Sequence, residues 1–117
     1  PIRHALKSGN DKIIVVLTRN PGYRKKPVSK GTAKLYRKAY KSYPKMAACA
    51  VHRNRTYNRT MELVEKLEAE GRIYVIRPMV PTVSRLERDY DKLMSFYEHG
   101  YALMKKEYAN LLRYMEE

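Results

Sequence analysis

Apolar positions change their spacing along the chain, and each change marks an element. Ile13–Leu17 is an unbroken, mostly β-branched run bounded by Asp11 and Pro21. A run so short and so apolar predicts a strand buried on both faces, as in a parallel sheet covered by helices. Arg72–Arg77, with Ile73–Ile76 at its centre, predicts a second short strand, ended by Pro78. Between them the period lengthens. Tyr57, Met61, Val64 and Leu67 recur at three- and four-residue steps, one stripe of a helix over 45–70 that Gly71 stops. A shorter helix fits 33–43, with Thr32 as its cap and Tyr43-Pro44 as its interruption. Residues 1–8 read as a short helix with Pro1 in its first turn and Gly9 after it, and Asn20-Pro21-Gly22 is a turn. Beyond a loop over 78–89, helical sequence runs over 89–116 with a Tyr-rich apolar face: Leu93, Phe96, Tyr97, Tyr101, Met104, Tyr108, Leu111, Leu112 and Met115. Gly100 is its weak point, where the segment can break in two.

The predicted order is α-β-α-α-β-α-α, without internal repeats or low-complexity linkers. Two strands joined by a helical crossover pair in parallel with a right-handed connection. Two strands are too few for a doubly covered sheet. The expected fold class is therefore α/β, with a sheet continued by another part of the protein or by another chain.

Composition narrows the class. A chain of 117 residues with 44% hydrophobic content is enough for one small ordered domain. No stretch reaches the roughly 18–20 apolar residues that span a bilayer, and no signal-peptide pattern opens the sequence. The single cysteine, Cys49, cannot form an internal disulfide, which suits a reducing, cytoplasmic setting. Two Asn-X-Thr sequons, at Asn54 and Asn58, fall within a predicted helix and are discounted as glycosylation sites.

Charge is regional. Of the net +13, residues 12–61 hold fourteen Lys or Arg and no acid, whereas 62–117 hold nine basic and eleven acidic residues. One half of the chain thus presents a positive field attractive to phosphate, anionic lipid or nucleic acid. Its densest part, GYRKKPVSKGTAKLYRKAYKSYPK, interleaves nine basic residues with four tyrosines. Arg19, Arg24, Lys25, Lys26, Lys30, Lys34, Arg37 and Lys38 are the candidate contacts to an anion or a membrane surface. Lys and Arg on phosphates with Tyr stacked on bases would serve nucleic acid. A solvated basic face with Tyr36, Tyr40 and Tyr43 packed inward accounts for the same residues, and a nucleic-acid partner is disfavoured.

Familiar catalytic patterns are missing. The five glycines are scattered singly, so no phosphate loop, dinucleotide fingerprint or G-x-S-x-G elbow is formed. None of the five serines sits in a Gly-flanked strand-to-helix turn. Cys49 and His52 lie three apart on a predicted helix, but Cys49 belongs to the small apolar run Met46–Val51 and is expected to pack. His4, His52 and His99 lack partners at metal-ligand spacing, and Asp89 and Asp91 complement a helix start. No catalytic, cofactor-binding or metal-binding residue is assigned, and no cofactor is expected.

One resemblance spans nearly the whole chain. PIRHALKSGNDKIIVVLTRNPGYRKKP, YPKMAACAVHRNRTYNRTMELVEKLEAEGRIYVIRP and VSRLERDYDKLMSFYEHGY resemble the C-terminal part of bacterial patatin-like phospholipases. Arg53, Tyr57, Asn58 and Thr60 match an R-x-x-x-YN-x-T helix, Ile73–Pro78 a following strand, and Ser84–Glu87 an SRLE-type loop. The resemblance implies a three-layer α/β/α parent with a Ser-Asp dyad that hydrolyses lipid acyl esters, with residues 1–78 as the end of its α/β domain and 79–117 as a C-terminal helical cap, together one compact unit. It also implies that this chain starts just downstream of the Asp-Gly-Gly motif, carrying neither dyad residue. The expected partners are then the remainder of that domain and an anionic lipid surface, with a location peripheral to the membrane. Two readings stand beside it. One is a basic module that binds nucleic acid or an anionic surface; the other is a chain that self-associates through open strand edges.

Overall fold

The computed structural model describes residues 1–117. Its elements are α1 (Ile2–Lys7), β1 (Ile14–Val16), α2 (Lys30–Ala39), α3 (Pro44–Ala69), β2 (Tyr74–Ile76) and α4 (Tyr90–Glu116). They form two compact units, Pro1–Tyr23 with Lys66–Glu117, and Arg24–Glu65. The division falls inside α3.

In the first unit β1 and β2 pair in parallel, Ile14 opposite Tyr74 and Val16 opposite Ile76, as the crossover requires. Backbone bonds extend the ladder at both ends, from Tyr74 N–H to Ile13 O (3.0 Å) and from Leu17 N–H to Ile76 O (2.8 Å). α4 packs on β2. The Tyr114 hydroxyl in its last turns reaches the chain just before both strands. It accepts from Ile13 N–H (3.2 Å) and shares its proton between the carbonyls of Ile13 (3.3 Å) and Arg72 (3.2 Å). Buried Ile2, Ile13, Leu67 and Ile73 supply the apolar core of this unit.

The strands sit where the apolar runs place them, but burial on both faces does not hold. Ile14 and Val16 point to one side of β1, and Val16 is 71% exposed. The reason lies in the partners: α4 lies over β2, and the neighbouring apolar positions of β1 stay open.

The turns follow local chemistry. Pro21 and Gly22 (φ +74) occupy the centre of a turn closed by Tyr23 N–H to Asn20 O, the left-handed second position that glycine admits. The Asn20 amide then donates to the carbonyls of Pro78 (3.1 Å) and Val80 (2.7 Å), joining the loops beyond the two strands. At the end of α3, Arg72 N–H bonds Leu67 O and Gly71 N–H bonds Glu68 O, with Gly71 at φ +68. That pair of bonds satisfies carbonyls the helix leaves open.

Three helix boundaries differ from expectation. α2 starts at Lys30 because Ser29, not Thr32, is its cap, its hydroxyl accepting from Thr32 N–H at 3.1 Å. It ends at Ala39, and Pro44 opens α3 at the first helical position, where a missing N–H has no cost. α4 runs unbroken through Gly100 for 27 residues, with Asp89 accepting from the N–H groups of Asp91 and Lys92.

Candidate functional site

The eight basic candidates divide according to what their charged ends touch. Arg19 lies in the first unit, where its guanidinium donates to the Thr82 hydroxyl (3.2 Å) and stands 5.0 Å from the centre of the Tyr23 ring. The other seven lie in the second unit.

There, α3 carries Asn54, Asn58 and Glu65 at steps of four and seven along one face, and they fasten the segment 24–26. The Asn58 side-chain oxygen accepts from Lys25 N–H (2.8 Å), and its amide donates to Lys25 O (2.9 Å). A side chain thereby reproduces the two bonds of a strand partner. The Asn54 amide donates to Lys26 O (2.8 Å). Arg24 forms a two-pronged pair with Glu65, at 3.0 and 2.6 Å. That hydrogen bond holds the guanidinium proton above its ordinary affinity. The Lys25 ammonium sits 4.3 Å from the centre of the Tyr57 ring.

Arg19, Arg24 and Lys25 therefore each have a side-chain partner within the chain. Lys26, Lys30, Lys34, Arg37 and Lys38 are exposed. The last four recur along α2 at helical spacing and share one side, opposite buried Ala33 and the stacked pair Tyr36 and Tyr40, whose rings are 6.4 Å apart. Inward packing of these two tyrosines matches the solvated-face reading, while Tyr43 is exposed.

The Asn-Tyr-Asn cluster on α3 was legible only as a motif, without its role. A signal existed. Asparagine is a poor helix former, and two of them four apart inside a helix imply a partner outside it. The same bonds explain why the sequons are unsuitable acceptors: both side-chain nitrogens already donate to backbone carbonyls.

Cys49 is exposed, contrary to the expected packing. Ala47 is the residue of its run that turns inward, and two further residues carry the helix to the opposite side. His52 and His4 are exposed as well. His99 Nε2 accepts from Met79 N–H (3.1 Å), so the ring nitrogen facing the loop is occupied and does not activate Ser95, four residues away on α4. No group of three His, Cys, Asp or Glu side chains could hold a metal ion.

An apolar groove of about 360 Å³ lies at the carboxyl ends of both strands, between Val16, Leu17 and Ile76 on one side and Phe96, Leu103 and Met104 on the other. Arg77 at its border is paired with Glu68. Thr18 and His99 also line the groove, and the Nε2 of His99 is the atom already taken by Met79 N–H.

On the far side of β2 the Tyr74 hydroxyl donates to Glu107 at 2.6 Å. Desolvation first, then the carboxylate, pushes the phenol up to about 12. The same bond, with a second from the Asn110 amide, holds the Glu107 carboxyl below its usual range.

A family described as a domain of unknown function, DUF6363, matches residues 43–116, from the start of α3 to the end of α4. The chain belongs to that family. No curated protein and no solved structure matches it. No helix is long and apolar enough to cross a membrane.

Proposed function

We propose that this DUF6363 chain is the non-catalytic C-terminal segment of a patatin-like lipid acyl hydrolase, completing a three-layer sheet whose catalytic Ser and Asp lie elsewhere in the parent. The observation that carries the reading is the open apolar side of β1. Parallel strands are ordinarily covered on both faces, and a two-stranded parallel sheet with Val16 71% exposed calls for further strands and helices. The engagement of His99 Nε2 by Met79 N–H, which keeps it from acting as a base for Ser95, agrees with a supporting role. In the parent, the basic side of α2 would approach an anionic lipid surface at the cytoplasmic side of the membrane.

The test has two arms. The reading frame upstream of Pro1 should encode an Asp-Gly-Gly or Asp-Gly-Ala motif, with G-x-S-x-G farther back. The purified 117-residue chain should leave short acyl esters intact while the full-length product hydrolyses them. Enzymatic turnover by the short chain, abolished by a serine substitution, would sink the proposal.

A second reading, a module binding anionic surfaces by itself, is favoured by Lys30, Lys34, Arg37 and Lys38 on one side of α2. Binding to phosphatidylserine vesicles that falls with salt, and is lost on Lys34→Glu with Arg37→Glu, supports it. Base-dependent affinity for single strands would favour nucleic acid instead.

A further inference from the structure

α4 has two apolar stripes, and only one of them faces the sheet. Phe96, Leu103 and Tyr114 belong to the side that packs on β2 or lines the groove. Rotated from them are Met94, Tyr97, Tyr101, Tyr108 and Leu111, with Met104 on the border between the two stripes, where it also lines the groove; the six are spaced three, four, three, four and three residues apart. That alternation is the 3.5-residue repeat of a helix seam. Its tyrosines are open: Tyr97 is 64% exposed, and Tyr101 and Tyr108 are each 57% exposed. Isolated exposed apolar residues are ordinary, but three exposed tyrosines in one row, flanked by the half-buried Met94, Met104 and Leu111, mark an interaction surface.

We propose that this row is the interface of a homodimer in which α4 packs antiparallel against α4 of a second copy. The choice of partner rests on charge. In the antiparallel register, Met94 packs on Leu111 of the other copy, Tyr97 on Tyr108, and Tyr101 on Met104. This register sets Glu98 of each copy beside Lys105 of the other, twice by symmetry. Of the three rings, Tyr101 meets the slender Met104, and Tyr97 meets Tyr108. A parallel pair would instead stack Tyr101 on Tyr101 and Tyr108 on Tyr108. It would also set Glu98 beside Leu93 and Lys105 beside Gly100, leaving no opposite charges to match.

Helix charge points the same way. In a chain of net +13, α4 itself holds four basic and four acidic residues, so it carries no net charge to repel a second α4. Tyr and Met, which supply five of the six seam positions, are residue types enriched at interfaces. The row shares no residue with the strands or with the basic side of α2, and the inference does not depend on the patatin-like parentage.

Sedimentation equilibrium of the full chain should show a monomer–dimer equilibrium. Glu98→Lys or Lys105→Glu alone should raise the dimer Kd about fivefold or more, since each turns two attractive pairs repulsive. The double reversal should restore it. Tyr101→Glu should abolish the dimer while the far-UV circular dichroism stays unchanged. Orientation is read in a Cys49→Ser background. An equal mixture of Tyr97→Cys and Tyr108→Cys chains should cross-link on oxidation, and neither alone should do so. A chain that stays monomeric at every concentration, a dimer indifferent to these substitutions, or cross-linking of Tyr97→Cys with itself would each overturn the proposal.

Discussion

Asn58 stands in for a strand. Its amide exchanges two hydrogen bonds with the backbone of Lys25, so a single side chain fixes the segment that carries Arg24 and Lys25. Asn58→Ala should cost about 1–2 kcal/mol in urea unfolding and accelerate hydrogen exchange at the Lys25 amide. Asn58→Asp keeps the acceptor, loses the donor, and should fall between the two. Tyr74 and Glu107 give the chain a second measurable signature. The phenol, raised to about 12, contributes stability that is complete below its ordinary value near 10 and is lost as pH rises toward 12. The depressed Glu107 carboxyl contributes stability present above its ordinary range and lost on acidification through its lowered value. In NMR titration of ring-labelled tyrosine, Tyr74 should titrate last of the pair's environment, near 12, and Glu107→Ala should bring it down. Residue roles of this kind were largely hidden in the sequence. Arg24 reads as a free cation in a basic run, and its partner Glu65 lies 41 positions away, beyond any local pattern.

Elements were easier to read, because their signals are local. Pro44 and Gly71 bound α3 within a residue of the expected limits, since both act through their own backbone. Ser29 displaced Thr32 as a cap because both side chains suit the position, and only geometry chooses between them. Gly100 was expected to weaken α4, yet the helix passes through it without interruption. An added methyl group there would meet nothing within 4 Å. Gly100→Ala should therefore stabilise the chain by about 0.5–1 kcal/mol, seen as a higher urea midpoint with an unchanged slope. What periodicity could not give was which faces are covered. The run Ile13–Leu17 announces a doubly buried strand, and the structure leaves one side of it open.

For the whole molecule, the contrast between open and closed apolar sites separates what this chain stabilises by itself from what it presents. Val64→Ala, at a site 1% exposed, should cost about 1–3 kcal/mol. Val16→Ser should stay within about 0.5 kcal/mol in the isolated chain, because little burial is lost. If further strands cover β1 in a longer parent, the same Val16 substitution should become strongly destabilising there. Thermal unfolding of both forms makes the comparison. Charge is divided as unevenly as burial: residues 24–65 hold twelve basic and two acidic residues, leaving only +3 of the total to the unit that contains the sheet.

The hydroxyl of Tyr114 has a consequence for the order in which the chain organises itself. It latches the approach to β1 across 101 positions, the longest span among the side-chain hydrogen bonds. Closing so long a loop costs on the order of 4 kcal/mol of chain entropy beyond a constant term. Helices can form early from local contacts, whereas this contact is a late event. During synthesis the two strands are both made well before the residue that fastens them, and they stay unlatched until position 114 has been added. For that interval the open side of β1 is exposed along with its unsecured entry, which makes the growing chain most receptive to another strand before α4 is complete.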